Sequence, residues 1–152
     1  MLKTIRRTLH PEGYHGHHKK PPYFEGWYFK VVDAAEQHRY AIIPGISFGE
    51  GEEGPHSFVQ VLNGLTGQTW YQRYPLEAFS ASETRLEVQV GPNHFTSHGM
   101  EIDLSTGELS LRGAIEFCHP RPWPVRVLSP GIMGWYAWVP GMECYHGVLS
   151  LD

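Results

Sequence analysis

The chain is poor in cysteine: Cys118 and Cys144 are the only two among 152 residues, and they form no CxxC motif. So few cysteines favour free thiols in a reducing compartment over a disulfide scaffold, with one disulfide between the two as the alternative. The sequence also lacks an apolar run of signal-peptide length and any window near the roughly 20 apolar residues of a membrane-spanning helix. These absences predict a cytoplasmic protein, at most peripheral to a membrane.

Positive charge is also scarce. Lys and Arg total 12 against 16 for Asp and Glu, and the net charge is −4. Such a chain lacks the basic footprint of nucleic-acid-binding proteins. It has no phosphate loop, dinucleotide-binding fingerprint or nucleophile elbow, and its most glycine-rich stretch, residues 45–54, is acidic and would repel phosphate. We expect no nucleic-acid partner and no cofactor.

What the chain does contain is glycine, proline and aromatic residues: 17 glycines, 12 prolines and 13% aromatics, in a length typical of one domain. This composition suits short strands joined by tight turns. Period-2 runs between turn signals predict about eight strands, over residues 23–33, 38–48, 56–62, 69–74, 85–90, 93–104, 108–117 and 143–151. We therefore predict an all-β fold, an antiparallel lipocalin-like barrel or strongly curved sheet.

The remaining segments have less regular patterns. Residues 1–22 form an irregular N-terminal arm, and residues 23–152 form the β domain. Prolines and glycines over 117–141 predict a loop that closes one end of the fold. Short helical stretches are expected over 76–82 and 132–136. The final strand stops without a turn or a polar tail, which predicts that the chain is part of a longer protein.

Histidines in the arm raise the question of a metal site, since imidazole is a common zinc ligand. Apart from Glu12, no carboxylate or cysteine lies near them, and no helical i, i+4 pair of histidines is present. The pattern favours solvated loop histidines and predicts no metal site. The four residues are His10, His15, His17 and His18.

The first predicted strand contains the main catalytic candidate. Alternation places Glu25, Trp27 and Phe29 on one face and Tyr28 on the other. A carboxyl group among bulky apolar side chains loses hydration of its charged form, which suits it to donate a proton. Glu25 is therefore the candidate catalytic residue, with Trp27, Tyr28 and Phe29 as candidate substrate-binding residues. The alternative is a structural carboxylate at the rim or paired with an arginine.

Two tryptophans stand in the proline-rich loop. Trp135 and Trp138 are candidate ligand contacts, because a loop with exposed indoles over a barrel mouth would form a lid or an edge that touches a membrane. An ordinary core role is the alternative, since aromatic side chains mostly fill protein interiors.

The last predicted strand adds three polar or acidic candidates. Period 2 aligns Glu143 with Tyr145, and His146 faces the opposite side. A second acid, or a hydrogen-bonded tyrosine and histidine, would serve near a ligand. A structural histidine with satisfied hydrogen bonds is the alternative.

The segment 22–30 reads Pro-Tyr-Phe-Glu-Gly-Trp-Tyr-Phe-Lys and is preceded by Tyr14-His15-Gly16. Together with residues 91–95, 129–136 and 142–147, it resembles the tocopherol cyclase family and its bacterial relatives. The resemblance implies a lipocalin-like fold and a second β domain beyond residue 152. The plant enzymes of the family add a phenol oxygen across a prenyl double bond to close a chromanol ring, without a redox cofactor.

The resemblance implies a protein that binds a hydrophobic, prenylated aromatic substrate and promotes acid-assisted ring closure, an isomerase-type reaction. Glu25 as the proton donor is a hypothesis from the residues, not a role carried over from the family. A non-catalytic module that binds a hydrophobic ligand is the main alternative. A third interpretation is an interaction module whose last strand pairs with a second copy or with the missing half.

Overall fold

The computed structural model describes residues 5, 8–50, 54–118, 121–122, 124–130, 134–139 and 149–150. This part of the chain is all-β, and every strand pairing in it is antiparallel. The all-β antiparallel class predicted from the sequence is confirmed. The strands group into two five-stranded sheets and two short ribbons.

The first sheet contains the strands β1 (Tyr23–Gly26), β2 (Phe29–Val32), β3 (Arg39–Phe48), β4 (Pro55–Asn63) and β5 (Thr69–Tyr74). Strands β1 and β2 pair in turn along the same edge of β3, and the register that sets Gly26 opposite Gly45 also sets Phe29 opposite Ile42. One continuous strand was predicted over 23–33. Its ladder is interrupted because Pro44 accepts a hydrogen bond from the Trp27 N–H, at 3.0 Å, but has no N–H to donate in return.

The second sheet is a meander of β6 (Phe79–Ala81), β7 (Glu87–Val90), β8 (Asn93–Thr96), β9 (Gly99–Ser105) and β10 (Ser110–Glu116), paired in chain order. The single strand predicted over 93–104 is wrong, because this segment is the β8–β9 hairpin. Its turn is fixed by the Thr96 hydroxyl oxygen, which accepts the His98 N–H at 3.1 Å. The buried positions shift from odd at Phe95 to even at Met100, as a two-residue turn between paired strands requires.

Short elements complete the described chain. A 3₁₀ turn, η1 (Leu76–Ala78), precedes β6, so the helix predicted over 76–82 is wrong beyond its first turn. Ribbons form from β11 (Arg121–Pro122) with β14 (Leu149–Ser150), and from β12 (Val125–Arg126) with β13 (Ser129–Pro130). A second 3₁₀ segment, η2 (Gly134–Trp138), overlaps the helix predicted over 132–136. In the described residues, no helix has the length and apolar character needed to cross a membrane.

The two sheets share one hydrophobic core, formed by their inward-facing side chains. Phe29 of the first sheet stacks on Phe95 of the second at 5.4 Å between ring centroids, and on Phe117 at 6.0 Å. Across the described strands no ladder joins the sheets, so they form two layers and no closed barrel. Fully buried members of the core include Val59, Val61, Val88, Val90, Phe95, Met100 and Leu104.

The N-terminal arm has no strand between residues 8 and 22, but it packs firmly against the β domain. The Tyr14 N–H donates to the Ser82 carbonyl at 2.8 Å, and the Trp27 indole N–H donates to the Glu12 carbonyl at 2.9 Å. A Cβ on Gly16 would lie 2.5 Å from the Tyr14 hydroxyl, so only glycine lets the chain cross this ring so closely. The arm is thus part of the folded domain.

Candidate functional site

Glu25 lies near the end of β1, on the inward face of the first sheet and opposite the buried Ile46. Its side chain is 15% exposed. Inward alternation continues through Trp27 and Phe29, both buried, whereas Tyr28 points outward and is 64% exposed. The structure therefore brings Glu25, Trp27 and Phe29 to one face, as the alternation predicted, and places Tyr28 on the other.

Hydrogen-bond donors from the arm and from β1 converge on the Glu25 carboxylate. The His15 backbone N–H donates to both oxygens, at 3.0 Å each, and the Tyr23 hydroxyl donates to Oε2 at 2.5 Å. The His15 ring Nδ1 lies 3.4 Å from Oε1. Across the described residues the ion pairs of Glu25 include no lysine or arginine. The arrangement is a carboxylate held by a buried histidine and a tyrosine.

Tyr14 stands beside this carboxylate and completes what we call the Glu25 cluster: Tyr14, His15, Tyr23 and Glu25. Burial, and secondarily the negative charge of Glu25, raises the pKa of Tyr14 from 10.0 to about 12. The Tyr14 phenol therefore stays protonated throughout the physiological pH range. The cluster combines a carboxylate, two tyrosine hydroxyls and an imidazole at one end of the core.

Aromatic rings surround the Glu25 cluster. Tyr14 packs edge-to-face on Phe79, with ring centroids 5.2 Å apart, and lies 6.4 Å from Trp27. Trp27 in turn stacks on Phe79 at 6.3 Å. Tyr23 stacks on Phe48 at 5.8 Å. Ring faces of this kind attract cations. A carboxylate beside them is chemically suited to proton transfer next to a developing positive charge.

The other candidates from the sequence lie elsewhere. Trp135 is exposed and stacks on Tyr136 at 4.1 Å, and the Trp138 indole N–H donates to the Val127 carbonyl at 2.7 Å. No described hydrogen bond or ring contact joins either tryptophan to Glu25. The candidates Glu143, Tyr145 and His146, like Cys144, lie outside the described residues. Cys118 carries an exposed free thiol.

Two open hollows of about 350 Å³ each lie on the outer face of the second sheet and share His94. Polar side chains such as Ser80, Glu87 and Gln89 line the first, and neither hollow touches Glu25. They do not provide an apolar pocket next to Glu25, Trp27 and Phe29. Across the described residues, no three His, Cys, Asp or Glu side chains are placed to hold a metal ion.

The arm histidines do not share one environment, and here the expectation of solvated side chains is wrong for one of them. His15 is buried, and its ring Nε2 lies 3.1 Å from the His10 carbonyl oxygen. His17 and His18 sit on the surface. Burial of His15 follows from docking of the arm, which no local sequence pattern signals.

Sequence reasoning also missed a buried histidine on the outer face of the first sheet. His56 places Nε2 2.9 Å from the Tyr71 hydroxyl and Nδ1 2.9 Å from the Arg73 guanidinium. Phe58 stacks on Tyr71 at 4.9 Å and fills the space over Gly45, its partner in register. The available signal for this aromatic packing was Gly45 opposite Phe58 on the adjacent strand, because a glycine has no side chain and leaves room for the ring.

A scan of protein-family models, a search of curated proteins and a search of solved structures find no match to this chain. The resemblance to the tocopherol cyclase family thus rests on the quoted sequence segments alone. The case for a function rests on the geometry of the Glu25 cluster.

Proposed function

We propose that this chain binds a hydrophobic, prenylated aromatic molecule and promotes its acid-assisted ring closure, as a tocopherol-cyclase-like protein. The observation that carries the proposal is the inward-facing Glu25, which is largely buried, lacks a described lysine or arginine partner and lies in an aromatic surround. The two sheets would form opposite walls of a lipocalin-like fold, and residues 10–16 of the arm would cover the end that contains Glu25.

The reaction adds the O–H of a phenol across a carbon–carbon double bond in the same molecule. The alkene gains a proton, the phenol loses one and a C–O bond forms, so atoms balance without an oxidant or reductant. Glu25 in its protonated form would deliver its proton to the alkene, and the phenol's proton would return to the carboxylate, with the Tyr23 hydroxyl that donates to Oε2 as a relay. The rings of Trp27 and Phe79 would face the tertiary cation that develops on the prenyl chain.

Tyr14 indicates where the aromatic head of a ligand would lie. Its phenol ring packs against Trp27 and Phe79 beside Glu25, and a prenylated phenol has a head group of the same kind. Ligand and arm would then compete for one surface. The sheet core behind this end is filled by side chains, so displacement of the arm provides the volume a ligand needs.

A non-catalytic ligand-binding module is the second candidate. It is favoured by the donors that converge on Glu25, because a carboxylate that anchors the arm to the sheet has a sufficient structural role. In that case the same surface would bind a hydrophobic molecule, and Glu25 would influence only stability and affinity.

Fluorescence titration with a geranylated hydroquinone tests the binding surface. Replacing Tyr14→Ala removes the ring that a ligand must displace, so affinity should rise by about tenfold, the equivalent of burying one aromatic ring. The matched control is Tyr28→Ala, at an outward-facing tyrosine between β1 and β2 that is 64% exposed, which should leave affinity unchanged. Absence of binding by the wild-type chain, or equal effects of both variants, would refute the proposed surface.

A further inference from the structure

Residues 125–130 and 134–139 include several exposed apolar side chains. Val127 and Leu128 form the tip of the β12–β13 hairpin and are 63% and 88% exposed. Trp135 and Tyr136 of η2 are also exposed, at 62% and 51%. We call these four residues the hairpin patch.

Contacts within the segment fix the geometry of this patch. The Trp138 indole N–H donates to the backbone carbonyl of Val127 at 2.7 Å, which ties η2 to the hairpin tip. Trp135 and Tyr136 stack on each other at 4.1 Å between ring centroids. The indole of Trp138 is therefore used to hold the tip in place, while the patch itself points to solvent.

Charge is distributed unevenly along the chain, and the segment that contains the hairpin patch is positive. Residues 117–142 contain two basic side chains, Arg121 and Arg126, and no Asp or Glu, so this segment has a formal charge of +2. The rest of the chain has 10 Lys and Arg against 16 Asp and Glu, a formal charge of −6. An acidic protein thus has, in the segment that carries the hairpin patch, two arginines and no acidic residue.

We propose that the hairpin patch docks the protein on the surface of an anionic lipid bilayer. Val127 and Leu128 insert among the acyl chains, and Trp135 and Tyr136 lie at the headgroup level, where amphipathic aromatic rings partition. Arg126 contacts the anionic headgroups. The site extends the proposed function by giving a lipidic ligand a route to the protein. The residues that form it are not part of the Glu25 cluster.

A bilayer fits this surface better than a second copy of the chain. The tip residues lie in an exposed two-residue turn, whereas anchor residues of protein interfaces fill pockets on the partner. The positive charge of the segment complements anionic lipid directly.

Co-sedimentation of the full chain with vesicles tests the proposal without any ligand. The wild type should bind vesicles of phosphatidylcholine and phosphatidylglycerol at 3:1 and bind pure phosphatidylcholine more weakly. Leu128→Asp should weaken binding by at least about tenfold, because it replaces an inserted side chain by a charge. Leu65→Asp, at an exposed leucine 53% accessible in the β4–β5 turn, is the matched control and should bind as wild type.

Arginine variants test the electrostatic part. Arg126→Ser should weaken binding to anionic vesicles severalfold at low salt, and Arg112→Ser on the second sheet should not, although both remove one positive charge. Failure of the wild type to bind anionic vesicles would overturn the proposal. Equal losses of vesicle binding in Leu128→Asp and Leu65→Asp would also overturn it. So would a wild type that does not bind vesicles but forms concentration-dependent dimers that Leu128→Asp abolishes. None of these outcomes depends on ligand binding at the Glu25 cluster.

Discussion

Removal of the Glu25 carboxylate should destabilise the protein more than removal of any exposed acidic side chain. In Glu25→Ala, the His15 N–H and the Tyr23 hydroxyl lose their shared acceptor, and the arm loses its attachment to β1. Hydrogen bonds to charged groups contribute about 1.5–3 kcal/mol each. The substitution also removes the desolvation cost of a mostly buried carboxylate, which offsets part of the stability lost with the hydrogen bonds from these two donors. We expect the free energy of unfolding to fall by about 2–4 kcal/mol.

Urea denaturation followed by far-UV circular dichroism measures this change. For a domain of this size, a loss of 2–4 kcal/mol corresponds to a fall of about 5–15 °C in Tm. The matched control is Glu36→Ala, since Glu36 pairs with Arg39 on the surface and is 70% exposed. It should lose at most about 1 kcal/mol. Surface substitutions usually change the free energy of unfolding by no more than about 0.5 kcal/mol. If Glu25→Ala stayed within that range of the wild type, the hydrogen-bonded anchoring of the arm would be refuted.

Further predictions concern titration and packing. Because the folded-state pKa of Tyr14 lies above 10.0, its neutral phenol contributes stability that is fully present below pH 10 and lost as pH rises through about 12. Between pH 9 and 12, the free energy of unfolding of Tyr14→Phe should therefore fall by up to about 2–3 kcal/mol less than that of the wild type, as measured by urea titrations. Equal falls in the two proteins would contradict this. Gly45→Ala should destabilise by at least about 2 kcal/mol, since the new Cβ would lie 2.5 Å from the Phe58 ring, whereas Gly107→Ala, where space is open, should be neutral in thermal melts. Asn93→Ala should lose about 2–4 kcal/mol in the same melts, because the buried amide bonds the Val90 carbonyl and the Asp103 N–H, and a loss under 1 kcal/mol would exclude that role.

Local pattern predicted much of the first sheet correctly. Alternation from residue 23 to 32 assigned the inward face of Glu25, Trp27 and Phe29 because a strand has a strict period of 2. Two errors in strand bounds, one in each sheet, had physical signals that were not used. Pro44 lacks the N–H that a continuous ladder at Trp27 needs, and the parity change between Phe95 and Met100 requires a turn.

The site was predicted only in part. Tyr23 shares a face with Glu25 two positions along the strand, so its contact follows from alternation. His15 and Tyr14 reach the same place through docking of an arm without regular structure, and no local pattern encodes a contact of that kind. Whether two sheets close into a barrel is likewise decided by long-range pairing, which the strand count does not determine.

The central claim is that Glu25 transfers a proton to a ligand held at the arm-covered end of the core. The most direct measurement is the rate at which purified chain converts a geranylated hydroquinone to its cyclised isomer, compared between wild type and Glu25→Gln at a temperature where both are folded. The account predicts conversion by the wild type and a fall of about 10²–10⁴-fold in the variant, the usual contribution of a general acid, with ligand affinity retained. Equal rates in the two proteins, or no conversion by a wild type that binds the ligand, would contradict it.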